Sequence, residues 1–190
     1  MLIYFAKGTQ IHAVFSPNRI PHPRKQGQNP KPGVFATFVL PPEKAMPNNH
    51  PELPLHPSKV ASIQRKHHWV FSGAIKKIPE GLKPGEWIYL EANGKIIASG
   101  FFNPGSIAVR IVAFEKREPT VQLFKEILDN SIQLRNQLLS NLLQNTNAFR
   151  LFHGEGDGLP GLVIDSYNGH LVVQAHHEGI DLYQKEIALS

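Results

Sequence analysis

Two stretches of this chain consist of short runs rich in hydrophobic residues, and an Asn-Gly pair divides each stretch. The first stretch covers residues 87–100 around Asn93-Gly94, and the second covers residues 162–176 around Asn168-Gly169. Asn-Gly suits a type I′ turn, because both central residues of that turn take positive φ values. The pattern therefore predicts two β-hairpins.

Three further segments predict strands and one long helix. Residues 107–114 follow the turn Asn103-Pro104-Gly105 and are rich in β-branched residues, so we predict a strand there, and residues 149–153 are a second strand candidate. Between them, Thr120 is a candidate N-cap for a helix, and Asn145-Thr146-Asn147 predicts the end of that helix. The apolar stripe of the helix consists of Phe124, Ile127, Leu128, Leu138, Leu139 and Leu142.

Residues 1–52 show no comparable period apart from the apolar run at residues 34–40. Eleven of the sixteen prolines lie within the first 57 residues, and such a density favours extended chain that packs poorly. We therefore predict a disordered, proline-rich extension over residues 1–52 and assign it no function.

The rest of the chain reads as two small domains. Short strands separated by tight turns over residues 53–117 predict a small, partly closed β-barrel. Residues 118–190 contain the long helix, a strand and the second hairpin, which are the elements of a small α+β unit. We therefore predict an α+β fold built from these two domains.

Composition narrows the classes of function. The 190 residues contain no cysteine, which excludes disulfides, cysteine-bound zinc and a thiol nucleophile from this chain. The apolar fraction is 41%, and no apolar run approaches the length that crosses a membrane. We expect a soluble, cytoplasmic protein without a membrane partner, and the sequence carries no signal for an oligomeric state.

Positive charge is concentrated around the predicted barrel. The chain has a net charge of +5, and residues 53–118 alone contain ten Lys and Arg against five acidic residues. Residues 119–190 reverse this balance, with four against eight. A basic surface on a small domain suits phosphate groups, although such an excess also serves solubility.

The segment from Arg65 to Ile75 combines cations with aromatic side chains. Trp69 and Phe71 share one face in an extended chain, because side chains alternate along a strand. Cations for phosphates and flat rings for unstacked bases are what a single-stranded nucleic acid requires. An equally simple interpretation places residues 69–71 in the core and leaves Arg65-Lys66 as a solvated edge.

Two motifs carry a family resemblance. His67-His68-Trp69-Val70-Phe71-Ser72-Gly73-Ala74-Ile75 resembles the H-P-W-V-F-S-G-A-I signature that opens the PUA domain of bacterial 23S rRNA methyltransferases, with His68 in place of the usual proline. Residues 155–165 resemble the E-G-D-G-L-P-G-L segment of the same family, which ends on two hydrophobic residues and an aspartate. The resemblance covers about residues 53–190.

This resemblance implies a PUA-type RNA-binding barrel and a linker domain, with the Rossmann-like catalytic domain of the family expected after residue 190. It implies large-subunit ribosomal RNA as the partner, and S-adenosylmethionine as the cofactor of full-length relatives but not of this chain. Methylation of cytosine C5 uses a thiolate nucleophile, which this chain lacks. We therefore expect the RNA-docking part of such an enzyme, without catalytic, cofactor-binding or metal-binding residues. The expected RNA-binding residues are Arg65, Lys66, His67, Trp69, Phe71, Ser72, Gly73 and Arg110.

Two other functions are compatible with the same residues. A freestanding PUA-type RNA-binding or ribosome-assembly module would carry the same motif and would bind RNA without a methyltransferase domain. A small hydrolase could use Glu155 and Asp157 as paired carboxylates, although Asp beside Gly more often serves turns. Residues 156–161 also fit the pattern G-x-G-x-x-G, but a strand rather than a helix is predicted after them, which disfavours a nucleotide-binding loop.

Overall fold

The computed structural model describes residues 49–141 and 144–190, together with the backbone of two strands at residues 2–7 and 10–15. The barrel sheet consists of β3 (Glu52–Pro54), β4 (Trp69–Phe71), β5 (Trp87–Ala92), β6 (Lys95–Phe102) and β7 (Ile107–Ala113). The second sheet consists of β1 (Leu2–Lys7), β2 (Gln10–Phe15), β8 (Ala148–His153), β9 (Leu162–Tyr167) and β10 (His170–Ala175). The helices are α1 (Val60–Gln64), α2 (Val121–Leu138), α3 (Glu178–Leu182) and α4 (Gln184–Leu189). No helix within these described segments is both long and apolar enough to cross a membrane.

In the barrel sheet the strands follow the order β3-β5-β6-β7-β4. The β5–β6 hairpin turns at Asn93 and Gly94, with φ values of 54° and 75°, as the Asn-Gly pair predicts. Gly100 allows β6 and β7 to pair closely, because a Cβ atom there would lie 2.2 Å from the carbonyl oxygen of Arg110. Apolar side chains fill one core between these strands, among them Leu53, Val70, Ile88, Leu90, Val109 and Ile111.

The second sheet has the order β2-β1-β10-β9-β8, and β9 and β10 form the second predicted hairpin. α2 begins as predicted, since the hydroxyl oxygen of Thr120 accepts a hydrogen bond from the backbone N–H of Leu123 at 3.3 Å. The helix ends at Leu138 and not near Asn145, because Leu138 is 69% exposed and the last turn has no core to cover. The predicted apolar stripe is therefore wrong at Leu138, and Leu142 lies outside the described residues.

Residues 2–7 and 10–15 form strands that the sequence did not predict. β1 pairs in parallel with β10, with Ile3 beside Leu171, and in antiparallel with β2. The structure therefore differs from the predicted disordered extension at these two strands. The apolar run at residues 34–40 lies outside the described residues.

The barrel and the second unit (residues 118–190) share one hydrophobic cluster, which we call the seam. Trp87 and Phe101 of the barrel pack there with Phe124 and Tyr183, and the ring centroids of Phe101 and Tyr183 lie 5.7 Å apart. Gly179 of α3 permits this contact, because a Cβ atom there would lie 2.4 Å from Cγ of Phe101. The two predicted domains are thus held against each other by a common core, and the boundary between residues 117 and 118 stays a prediction.

Candidate nucleic-acid interface

β4 presents two aromatic side chains to solvent. Trp69 and Phe71 are 39% and 53% exposed, whereas Val70 between them is 3% exposed and packs in the barrel core. The alternation predicted from the sequence is therefore present, and the alternative that places all three residues in the core holds for Val70 alone. Two flat rings on an open strand form a surface on which bases can stack.

Three basic side chains precede the aromatic pair, and all of them are exposed: Arg65, Lys66 and His67. Lys66 takes a left-handed conformation with φ 61°, and its Nζ lies 4.7 Å from the centroid of the Phe114 ring. Nδ1 of His67 accepts a hydrogen bond from the backbone N–H of Trp69 at 3.2 Å, which holds the imidazole beside the indole. We call these three residues and the two exposed aromatics the β4 face.

A short 3₁₀ turn at Ser72–Ala74 follows β4 and leaves Ser72 and Gly73 exposed. The backbone N–H of Ser72 donates to the carbonyl oxygen of Ser106 at 2.9 Å, which fixes the turn against the residue that precedes β7. A Cβ atom at Gly73 would meet nothing within 4 Å, so packing in the described part of the chain does not require glycine there. The RNA contacts expected of Ser72 and Gly73 stay predictions.

His68 occupies the position where the resembling motif has proline. Its Nδ1 lies 2.7 Å from the carbonyl oxygen of Ile111, and its ring centroid lies 5.0 Å from that of Phe114. The backbone N–H of Ile111 donates in turn to the carbonyl oxygen of His68 at 2.8 Å. Hydrogen bonds to β7 therefore replace the fixed φ that proline would give to the entrance of β4.

Arg110 is more constrained than its prediction as an RNA-binding residue suggests. Its Nη1 donates to Oε1 of Glu155 at 3.1 Å, and the indole Nε1 of Trp69 donates to the same oxygen at 2.8 Å. Burial raises the pKa of Glu155, but the hydrogen bond from Trp69, a backbone hydrogen bond and the charge of Arg110 together lower this pKa below its ordinary value. A carboxylate of the second unit thus joins Trp69 to Arg110, although 86 residues separate it from Trp69.

A cleft of about 560 Å³ lies beside this carboxylate, between β7 and the second sheet. Its lining consists of Arg110, Arg150, His153, Glu155, Gln174 and His176, with Val163 and three glycines at positions 154, 156 and 161. No local pattern in the sequence predicts this site. Gln174 and His176 have the two-residue spacing of one strand face, but only the fold shows that this face meets the barrel.

The two carboxylates considered for hydrolysis, Glu155 and Asp157, are held in ion pairs, and so is Asp165. Arg135 of α2 donates to both oxygens of Asp157 at 2.5 and 2.6 Å, and Arg150 donates to both oxygens of Asp165 at 2.8 and 3.1 Å. Within the described residues, no three His, Asp or Glu side chains are placed to hold a metal ion. Residues 156–161 lead into β9, as predicted, so this loop does not offer the helix N-terminus that a nucleotide or a methyl donor would use.

Comparisons with known proteins find one known domain in this chain and sequence relatives that cover most of it. A family model described as a PUA-like domain matches residues 53–114. The chain is 35% identical over 145 residues to the ribosomal RNA large subunit methyltransferase I of Salmonella arizonae, and 36% identical over 127 residues to the protein of the same name from Erwinia tasmaniensis. These alignments cover 75% and 65% of this chain but 35% and 31% of the relatives. The chain therefore spans about a third of the length of the curated relatives it matches.

Two solved structures resemble the fold. One is a protein from Streptococcus mutans assigned as a SAM-dependent methyltransferase, with a TM-score of 0.61 and 16% identity, matched over 72% of this chain and 36% of that chain. The other is SMU.776, assigned as a methyltransferase and solved with SAH, with a TM-score of 0.59 and 18% identity, matched over 72% of this chain and 35% of that chain. At these identities the likeness concerns the fold alone. The likeness in fold and the sequence relatives together confirm the resemblance to 23S rRNA methyltransferases that the two motifs indicated.

Proposed function

We propose that this chain is the RNA-binding part of an S-adenosylmethionine-dependent methyltransferase that modifies 23S ribosomal RNA, and that its barrel docks the enzyme on that RNA. The observation that carries the proposal is the β4 face, on which Trp69 and Phe71 are exposed beside three basic side chains. The PUA-like match over residues 53–114 and the names of the sequence relatives support the same assignment.

The chemistry of the β4 face suits a single strand of RNA. Exposed rings stack on unpaired bases, and neighbouring cations neutralise phosphates. The excess of positive charge around the barrel, ten Lys and Arg against five acids over residues 53–118, adds attraction at longer range. Binding should therefore weaken steeply as salt concentration rises.

The proposed target atom is C5 of a cytosine. Transfer of a methyl group to that atom needs a nucleophile at C6, usually a thiolate, and these 190 residues contain no cysteine. In this proposal the nucleophile and the site of the methyl donor belong to other parts of the enzyme. The contribution of this chain is to bind the RNA and to fix its orientation.

The proposal can be tested by fluorescence anisotropy with the full chain and labelled single-stranded fragments of 23S rRNA. We expect salt-dependent binding, and we expect a double variant Arg65→Gln/Lys66→Gln to lower the slope of log affinity against log salt by about 1 to 2. Lys125→Gln is the matched control, because Lys125 lies on α2, where it pairs with Asp129. The proposal fails if the fragments do not bind, or if the control lowers the slope as much as the double variant.

A further inference from the structure

The cleft beside Glu155 has the size and the polar groups of a binding site that the β4 face does not include. We propose that it takes one unstacked nucleotide of the RNA strand bound on the β4 face, with the phosphate toward Arg150 and the base toward Glu155. This inference rests on the proposed function and adds a second contact with the same strand. The cleft volume of about 560 Å³ lies in the range of pockets that bind small molecules.

The wall formed by β8 and β10 presents nitrogen donors. Nε and Nη2 of Arg150 bind the two oxygens of Asp165, and Nη1 of Arg150 lies 3.3 Å from Nδ1 of His153. Arginine can only donate, so Nδ1 of His153 accepts and the proton of the neutral ring sits on Nε2. Nε2 of His176 lies 3.2 Å from Oε1 of Gln174, which leaves the amide nitrogen of Gln174 as a donor. Such donors, beside the charge of Arg150, suit the oxygens of a phosphate.

The opposite wall carries a carboxylate that is paired with Arg110. Oε1 of Glu155 accepts hydrogen bonds from Trp69 and Arg110, and the Glu155 side chain is 35% exposed. A carboxylate repels phosphate, but it accepts a hydrogen bond from the exocyclic amino group of a base. The two ends of a nucleotide are therefore distinguished by the groups they meet, donors on the wall of β8 and β10 and a carboxylate acceptor on this wall. Nε of Arg110 is buried and has no hydrogen-bond partner among the described residues.

Trp69 connects the cleft to the β4 face. Its indole Nε1 binds Glu155 at the wall of the cleft, while the residue is 39% exposed on the outer surface. The centre of the Arg110 guanidinium lies 5.9 Å from the centroid of the Trp69 ring. A strand that stacks on Trp69 thus passes the mouth of the cleft, and neighbouring nucleotides can occupy both places.

Gly156 offers a way to fill the cleft while keeping the fold. It lines the cleft, its φ lies outside the left-handed region, and a Cβ atom there would meet nothing within 4 Å. The Cβ atom of Gly156→Leu therefore has room in the described structure, and the added side chain is expected to reduce the volume of the cleft. Gln174→Leu is a second variant, since it removes a donor at nearly the same side-chain size.

The test is site-specific crosslinking of the full chain to fragments of 23S rRNA of about 12 nucleotides, with 4-thiouridine at one position at a time. We expect adjacent positions to crosslink to Trp69 or Phe71 and to His153 or His176. Gly156→Leu should lose the crosslinks in the cleft, keep those on the β4 face and bind about tenfold more weakly. Arg150→Gln should lower the salt slope by about 1, and Lys125→Gln should behave as the unchanged chain.

The outcomes separate this inference from the proposed function. If the unchanged chain crosslinks only on the β4 face, and Gly156→Leu and Gln174→Leu both bind with unchanged affinity, the cleft inference is wrong and the docking function stands. If no fragment binds in a salt-dependent way, both are wrong. A thermal melt accompanies each variant, and should Gly156→Leu melt far below the unchanged chain, the result with Gln174→Leu decides.

Discussion

The outer face of β4 and the seam each contain one of the two tryptophans of the chain, and they use this residue in opposite ways. Trp87 in the seam is 1% exposed, and its indole N–H donates to the carbonyl oxygen of Arg117 at 3.0 Å. Trp69 is 39% exposed, and its indole N–H donates to a carboxylate that is itself partly exposed. Both rings are anchored by one hydrogen bond. They differ in the ring surface that remains available to a partner.

This difference shows that anchoring and burial are separate properties. In the seam, Phe101 and Tyr183 surround Trp87 with ring centroids at 5.2 and 6.1 Å, so its apolar surface contributes to folding. On the β4 face, a hydrogen bond orients the indole of Trp69 while much of its surface stays in water. A ring held in this way loses little conformational freedom when a base stacks on it.

Trp87→Ala should have the largest effect on stability. Removing a buried aromatic side chain lowers the free energy of unfolding by about 3–5 kcal/mol, because it leaves a cavity between the barrel and the second unit. Urea unfolding of the full chain measures this loss. A loss below about 1 kcal/mol would mean that Trp87 contributes no more to the free energy of unfolding than Trp69 does, and it would contradict the contrast between the two regions.

Arg135→Gln tests the same contrast between buried and exposed groups, with ion pairs in place of aromatic rings. The Arg135 and Asp157 side chains are 16% and 4% exposed, so the variant leaves a buried carboxylate without its cation, and we expect a loss of about 3 kcal/mol. Lys125→Gln on the same helix breaks an exposed pair with Asp129 and should cost less than about 0.5 kcal/mol. Equal losses in urea unfolding would contradict the assignment of the Arg135 pair to the interior.

The pH dependence of stability should report on the seam through His177. Burial, followed by the charge of Arg110, lowers the pKa of His177 to about 4. The folded protein therefore stays unprotonated at this residue while the unfolded chain takes up a proton near pH 6.5, so stability present above that pH is lost as the pH falls toward 4. Lowering the pH from about 7 to about 5 should therefore reduce the free energy of unfolding by about 2 kcal/mol through the protonation of this residue in the unfolded chain.

His177→Asn isolates this contribution. Nδ1 of His177 accepts a hydrogen bond from the backbone N–H of Gly179 at 2.9 Å, and the amide oxygen of asparagine can keep that helix cap. The variant should lose less stability than the unchanged chain between the two pH values. Parallel losses would show that the proton uptake occurs at other residues.

Trp69→Ala should have a small effect on stability and a clear effect on binding. Because the ring is largely outside the core, we expect a loss below about 1 kcal/mol in urea unfolding. Loss of a stacking platform should weaken binding of 23S rRNA fragments by about tenfold. Trp69→Phe keeps a ring but not the N–H to Glu155, so it should bind with intermediate affinity. A variant that unfolds easily but binds RNA normally would reverse the roles assigned to the two tryptophans.

Local patterns predicted the parts of the fold that depend on neighbouring residues. Asn93-Gly94 and Asn168-Gly169 specify their hairpins because the turn itself requires positive φ at both positions. Thr120 predicted the start of α2 because its hydroxyl caps a nearby N–H. The end of α2 was predicted too late, since the last leucines of the stripe fit the helical period but Leu138 meets no core.

Contacts between distant residues carried no such signal. Pairing of β1 with β10 joins the two ends of the chain, and a strand ladder at that separation has no local signature. The alternation of Trp69 and Phe71 was visible in the sequence, but the bond from Trp69 to Glu155 was not. The cleft was missed for the same reason, because Arg110 and Arg150 are brought together only when the two units pack.

The close contact between α3 and Phe101 fixes the distance between the barrel and the second unit at this point. With no side chain on Gly179, the helix backbone lies directly against the ring, so the two units pack closely at this point. In the proposed function, RNA bound at the barrel would therefore lie at a fixed distance from the opposite side of the second unit. A methyl group added at Gly179 would push α3 away from Phe101 and change this distance.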